Sequence, residues 1–103
     1  MNISAAEREL LWTMLQQWLP QHVVYAFGSR VHGRQLKPFS DLDLAIMSDT
    51  PIDIDVLCAL REAFAESDLP YRVDVVDFAT SSTYFQAKIK EDGQLFYAPQ
   101  DVE

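Results

Sequence analysis

The sequence predicts an α+β fold in which helices and strands alternate in the order αβαβαβα, and three observations predict it. Apolar residues recur at helical spacing in three separate segments. Between them lie short apolar runs that are too brief for helices and rich in Val and aromatic residues. Pro, Gly, Ser or Asp marks the points where one pattern gives way to the next. A chain of 103 residues, 49% of them hydrophobic, is expected to form one domain over residues 1–103 and to bury about two thirds of its unfolded surface.

The first helix opens at Ser4, where Ser4 and Glu7 make a capping-box pattern. Leu10, Leu11, Met14, Leu15 and Trp18 then recur at helical spacing until Pro20 stops the run. Val23–Phe27 is the first strand, and a short helix is expected after Ser29. A polar loop from Arg34 to Ser40 leads into the second strand, Asp41–Met47. Thr50-Pro51-Ile52-Asp53 then reads as an N-cap, a proline at the first helical position and an acid in the first turn. The helix that follows is expected to run to about Ser67, with Ile54, Leu57, Cys58, Arg61 and Phe64 approximating one face. The third strand follows Pro70 and carries Asp74 between Val73 and Val75, with Asp77 at its end as a turn residue or cap. Ser82–Asp92 is the last helix, ending at Gly93, and Leu95–Tyr97 is extended beyond it.

The stretch from Phe27 to Ile46 carries the chemistry. Gly28 gives the conformational freedom for a sharp exit from the first strand, and Ser29 starts the next element, so this turn can offer backbone and hydroxyl donors to a phosphate. Asp41 and Asp43 stand two apart in a strand pattern and so share a face. Two carboxylates about 5 Å apart repel by about 3 kcal/mol at an effective dielectric near 20. A cation relieves that cost, and oxygen-only ligands suit magnesium or manganese. Asp74 is the candidate third carboxylate, since a charge within a β-branched run has little reason to exist unless it faces a site.

Gly28-Ser29, eleven intervening residues, Asp41-Leu42-Asp43 and a later strand Asp74 resemble the signature of the nucleotidyltransferase superfamily that includes the β-type DNA polymerases. More narrowly, this short chain is similar to the minimal nucleotidyltransferases, or MNT proteins, commonly paired as antitoxins with helical HEPN toxins. The resemblance implies a small nucleotidyltransferase fold, with a mixed sheet of three to four strands flanked by helices. It implies transfer of AMP from ATP to a hydroxyl of the partner toxin, a tyrosine, with Mg2+ or Mn2+ held by Asp41, Asp43 and Asp74. Gly28, Ser29 and Arg30 would bind the nucleotide, and Arg34 or Lys37 could add positive charge against the leaving pyrophosphate. The acceptor site must come from a second protein, because the chain ends shortly after the catalytic sheet. A homodimer or hetero-oligomer is compatible with that arrangement.

Composition narrows the alternatives. Eight Lys and Arg against sixteen Asp and Glu give a formal charge of −8, so direct nucleic-acid binding is not expected and a basic protein partner is. Two rival functions keep that charge in view: an antitoxin that masks a basic RNase without turnover, and a transferase acting on an aminoglycoside-like small molecule. Cys58, in an apolar run, reads as a small core residue, and His22 and His32 are too few and scattered for a zinc site. Trp12, Trp18, Tyr84 and Phe85 read first as core packing and otherwise as a partner surface. Neither a signal peptide nor a membrane span is visible, which predicts a cytoplasmic protein.

Overall fold

The computed structural model describes residues 3–32 and 41–99. Its elements are α1 (Ala5–Trp18), β1 (Val23–Phe27), α2 (Ser29–His32), β2 (Leu42–Met47), α3 (Ile54–Ala65), β3 (Val73–Asp77), a 3-10 turn (Phe78–Thr80), α4 (Thr83–Asp92) and β4 (Gln94–Tyr97). The strands form one mixed sheet in the order β3-β2-β1-β4. The β1/β2 and β1/β4 pairs are antiparallel, and β2 and β3 run parallel, joined through α3.

Helix α1 begins where its capping box predicts. Ser4 Oγ accepts from Glu7 N at 3.1 Å while Glu7 Oε1 accepts from Ser4 N at 2.9 Å, satisfying two donors that a helix start leaves open. Its buried stripe is Leu11 and Leu15, continued by Leu19 just past the helix end. Leu19 precedes Pro20 and leaves helical geometry, as the proline ring requires of its neighbour.

Alternation along the strands sorts the two faces of the sheet. Val24 and Ala26 of β1, Leu42, Leu44 and Ile46 of β2, and Val73 and Val75 of β3 join Leu11 and Leu15 of α1 and Leu57, Leu60 and Phe64 of α3 in one core. Each large side chain buried there contributes about 1.5–3 kcal/mol relative to exposure. The opposite face carries Tyr25, Phe27, Asp43 and Asp74, and α4 packs on its β1 side, where Phe85 meets Phe27 edge-on at 5.7 Å. The carboxylates therefore stand on the face that the core leaves open.

Several local expectations are corrected. Helix α3 starts from Asp53, whose carboxylate accepts from Asp55 N at 2.8 Å, instead of from Thr50. The N–H of Ile52 is drawn instead to Asp77 Oδ2 at 2.9 Å, which keeps residues 51–53 outside the helix. Cys58 is exposed, because the buried stripe of α3 is Leu57, Leu60 and Phe64 and one residue along a helix turns by about 100°. Ile54, expected on that face, is 63% exposed. Arg61 is exposed too, but its Nη2 donates to the Val75 carbonyl at 2.8 Å, covering an outward acceptor of the edge strand β3. Tyr84 is 74% exposed, whereas Trp12, Trp18 and Phe85 are half-buried, with Trp12 edge-on to Tyr97 at 5.2 Å. The loop from Arg34 to Ser40 lies outside the described residues. Among those described, no helix is long and apolar enough to cross a membrane.

Candidate active site

The site begins at the end of β1. Gly28 has φ of +86°, a region that L-residues with a Cβ rarely adopt. A Cβ at Gly28 would also fall on the carboxylate of Asp43. Its carbonyl accepts from Val31 N at 3.0 Å, turning the chain at once into α2, which Ser29 opens. Glycine is thus needed twice over, for the turn and for the space that Asp43 occupies.

Register brings the acids together. Asp43 lies opposite Phe27 in the antiparallel pair and opposite Asp74 in the parallel pair, so the three side chains form a row across one face. Asp41, immediately before β2, is close enough for its carboxyl to hydrogen-bond to that of Asp74. Asp74 is further tied to Arg72, with Nε to Oδ1 at 3.1 Å. Asp77 does not join them. Its Oδ1 accepts from Ala79 N at 3.1 Å and its Oδ2 from Ile52 N, so it serves as a cap and brace at the other end of β3.

Burial and neighbouring charge raise the proton affinity of Asp43 and Asp41. Burial, followed by the charges of Asp74 and Asp41, pushes the Asp43 carboxyl up to about 6. Asp41 is raised as well, first by burial and then by its contact with Asp74, against the opposing pull of Arg72 and Arg30. A divalent cation would reverse that balance, and an all-carboxylate donor set is the hard-oxygen chemistry that magnesium-like ions take. Among the described residues, no three acidic, His or Cys side chains are gathered closely enough to hold a metal ion by themselves. An open half-shell on an exposed sheet face suits an ion that completes its coordination with water and substrate phosphate oxygens. The carboxylate donors present fit a magnesium-like ion in their chemistry.

A stability consequence follows in the metal-free protein. The folded state holds a proton at Asp43 that the unfolded chain releases near the ordinary value of 3.8, so stability falls as pH rises from about 4 to 6 and levels off above. Raising one carboxyl from 3.8 to about 6 corresponds to about 3 kcal/mol, which solvent at the open site reduces to about 1 kcal/mol. Urea unfolding at pH 4 and pH 7 should show this component in the wild type and not in Asp43→Asn.

Residues 13–101 match the family described as Polymerase beta, Nucleotidyltransferase. The chain belongs to this nucleotidyltransferase family. It is 48% identical over 91 residues to the probable protein adenylyltransferase MntA of Haemophilus influenzae, an alignment covering 88% of this chain and 79% of that one. Among solved structures it superimposes on a toxin–antitoxin with AMP-PNP, with a TM-score of 0.72 and 26% identity, covering 94% of this chain and 76% of that one. It shares its fold, with a TM-score of 0.67 and 22% identity, with a complex of a tri-AMPylated Shewanella oneidensis HEPN toxin and an MNT antitoxin, covering 90% and 71% of the respective chains. Nucleotidyltransferases of this family take a nucleotide substrate and a divalent metal ion.

Within this nucleotidyltransferase, the six residues singled out in the sequence fall in one region. Gly28, Ser29 and Arg30 form the turn and first helical residues beyond β1, while Asp41, Asp43 and Asp74 line the neighbouring strands. Arg30 is only 6% exposed, with its guanidinium carbon 3.8 Å from the centre of the Tyr71 ring. Arg34 and Lys37 lie outside the described residues. Sequence reasoning did not single out Tyr71, Arg72 or Phe27 as site residues. With Asp43, Asp74 and Phe85 they line a cleft of about 1000 Å³ that passes from the carboxylates along β3. Tyr71 and Arg72 directly precede the strand that carries Asp74, and that adjacency was the one signal available for them.

Proposed function

We propose that this chain transfers AMP from ATP to a tyrosine hydroxyl of a partner HEPN toxin and thereby acts as its antitoxin. The observation that carries the reading is the row of Asp43 and Asp74 on the open sheet face, with Asp41 beside it and the Gly28 turn backed against Asp43. The 48% identity to a probable protein adenylyltransferase supports the choice of a protein acceptor, and the likeness to a toxin–antitoxin with AMP-PNP supports ATP as donor. The HEPN partner follows from the MNT resemblance of the motif. The chain works as a single catalytic domain over residues 1–103.

Asp41, Asp43 and Asp74 would hold Mg2+ in this reading, and the ion would supply positive charge to the triphosphate and lower the proton affinity of the acceptor hydroxyl. The turn at Gly28, Ser29 and Arg30 receives the phosphates through its backbone N–H groups. The acceptor oxygen attacks the α-phosphorus, the bond to the bridging oxygen breaks, and pyrophosphate leaves. In this reading Asp74, which lines the cleft, accepts the acceptor's proton at a carboxylate oxygen, and Arg72 orients it through the 3.1 Å contact.

The test is a labelling experiment with magnesium, the purified protein and its partner toxin. Label from α-labelled ATP should appear on the toxin, and label from γ-labelled ATP should not. An absence of toxin label from either source would overturn the assignment.

A further inference from the structure

Arginine side chains are among the most costly groups to take out of water, and a nearly buried one needs compensation. Arg30, 6% exposed, sits over the ring of Tyr71, itself 8% exposed, with its guanidinium carbon 3.8 Å from the ring centre. Behind the ring, the Tyr71 hydroxyl donates to Glu7 Oε1 at 3.1 Å, the same oxygen that accepts from Ser4 N in the α1 capping box. The backbone of Ser4 is the main influence holding the Glu7 carboxyl below its usual range, and the Tyr71 hydroxyl and the Arg30 charge act in the same direction. Three segments distant in sequence thus meet at one stack: the start of α1, the lead into β3 and the second residue of α2.

Its position gives the stack a role. Arg30 stands two residues beyond Gly28, Tyr71 stands three residues before Asp74, and the Arg30 charge also reaches Asp41. The stack therefore spans the two halves of the site, the phosphate turn and the strand bearing the third carboxylate. Resting on the nucleotidyltransferase reading above, we propose that Arg30 is a positioning residue: stacked on Tyr71 and braced through Glu7, it sets the distance between the Gly28 turn and the carboxylates. A planar guanidinium fits a ring face in a way that an ammonium does not.

The test measures calorimetric affinity for ATP with magnesium, and for AMP, in the full-length chain. The variants are Arg30→Met, Arg30→Lys, Tyr71→Leu, Tyr71→Phe and the Arg30→Met/Tyr71→Leu double, with thermal melts establishing that each is folded at the assay temperature. Arg30→Met should weaken ATP binding about 10- to 100-fold, the range expected when binding groups shift by about 1 Å. Tyr71→Leu should reproduce that loss, and the double variant should be no weaker than the weaker single, the sign of one shared device. Tyr71→Phe, which keeps the ring, should recover most of the loss, whereas Arg30→Lys should recover little. Losses that multiply in the double variant, together with restored ATP affinity in Arg30→Lys and an effect on ATP much larger than on AMP, would instead make Arg30 a direct charge on the phosphates. Unchanged affinity throughout would also overturn the proposal. If Tyr71→Leu does not fold, Arg30→Lys decides: near wild-type affinity refutes positioning, and a loss close to that of Arg30→Met supports it. Wild-type protein that fails to bind ATP overturns the nucleotidyltransferase reading itself, and that failure is visible before any variant is made.

Discussion

Asp41→Asn combined with Asp43→Asn is expected to lower AMP transfer about 10³-fold or more, through loss of the charges that hold the cation. The fold should survive. Asparagine matches aspartate in shape, and removing two carboxylates relieves the burial cost and the repulsion that raise Asp43 and Asp41, so the metal-free variant should be at least as stable as the wild type. Thermal melts without metal check that point, and transfer of α-label to the partner toxin checks activity. The same variant separates catalysis from masking. The chain's charge of −8 changes only to −6 on removal of two carboxylates, so a masking antitoxin would still neutralise its toxin. A catalytic antitoxin would not. Growth of cells expressing the toxin with either form of this protein gives the answer directly.

Gly28→Ala should be the most damaging single substitution that alters no charge. Its backbone, at φ +86°, would hold an L-residue in the left-handed region at a cost of about 1–2 kcal/mol. The added methyl would fall on the Asp43 carboxylate, so either the turn or the acid must move. A shift of about 1 Å at a reacting centre costs on the order of 100-fold in rate, and that is the loss expected in AMP transfer. Gly93→Ala provides the contrast. A Cβ there meets the Ile89 carbonyl and, at 3.2 Å, the ring of Tyr25, at a φ of −76° that any residue adopts. Gly93→Ala should lower the melting temperature and spare the rate per folded molecule, because its conflict lies at the end of α4, away from the carboxylates. Equal loss of rate in the two variants would mean that Gly28 matters only for folding.

How much was legible in the sequence depended on how far apart the interacting groups lie. The start of α1 could be read because Ser4 and Glu7 are three residues apart and complete their hydrogen bonds within one turn. The bounds of β1 and the turn at Gly28 were equally local, and Asp41 and Asp43 share a face through the two-residue period of a strand. The start of α3 was misread because its competitor, Asp77, sits 25 residues from the Ile52 N–H that it captures. Cys58 and Tyr84 were misplaced for a related reason: an apolar helix has several candidate inward faces, and the neighbours decide which one is buried.

The sequence by itself determined the alternating elements, the turn at Gly28, the identity of three acids and the acidic composition, because each is a property of composition or of residues within one turn or one strand. Only the tertiary structure decided that Asp74 stands opposite Asp43, since parallel pairing joins strands separated by a whole helix and its register follows from packing. It alone decided that Arg30 is buried against Tyr71 and braced by Glu7, a contact among residues drawn from three distant segments. No local pattern encodes such a meeting: it exists only once the core has closed and brought α1, α2 and β3 to the same corner of the sheet.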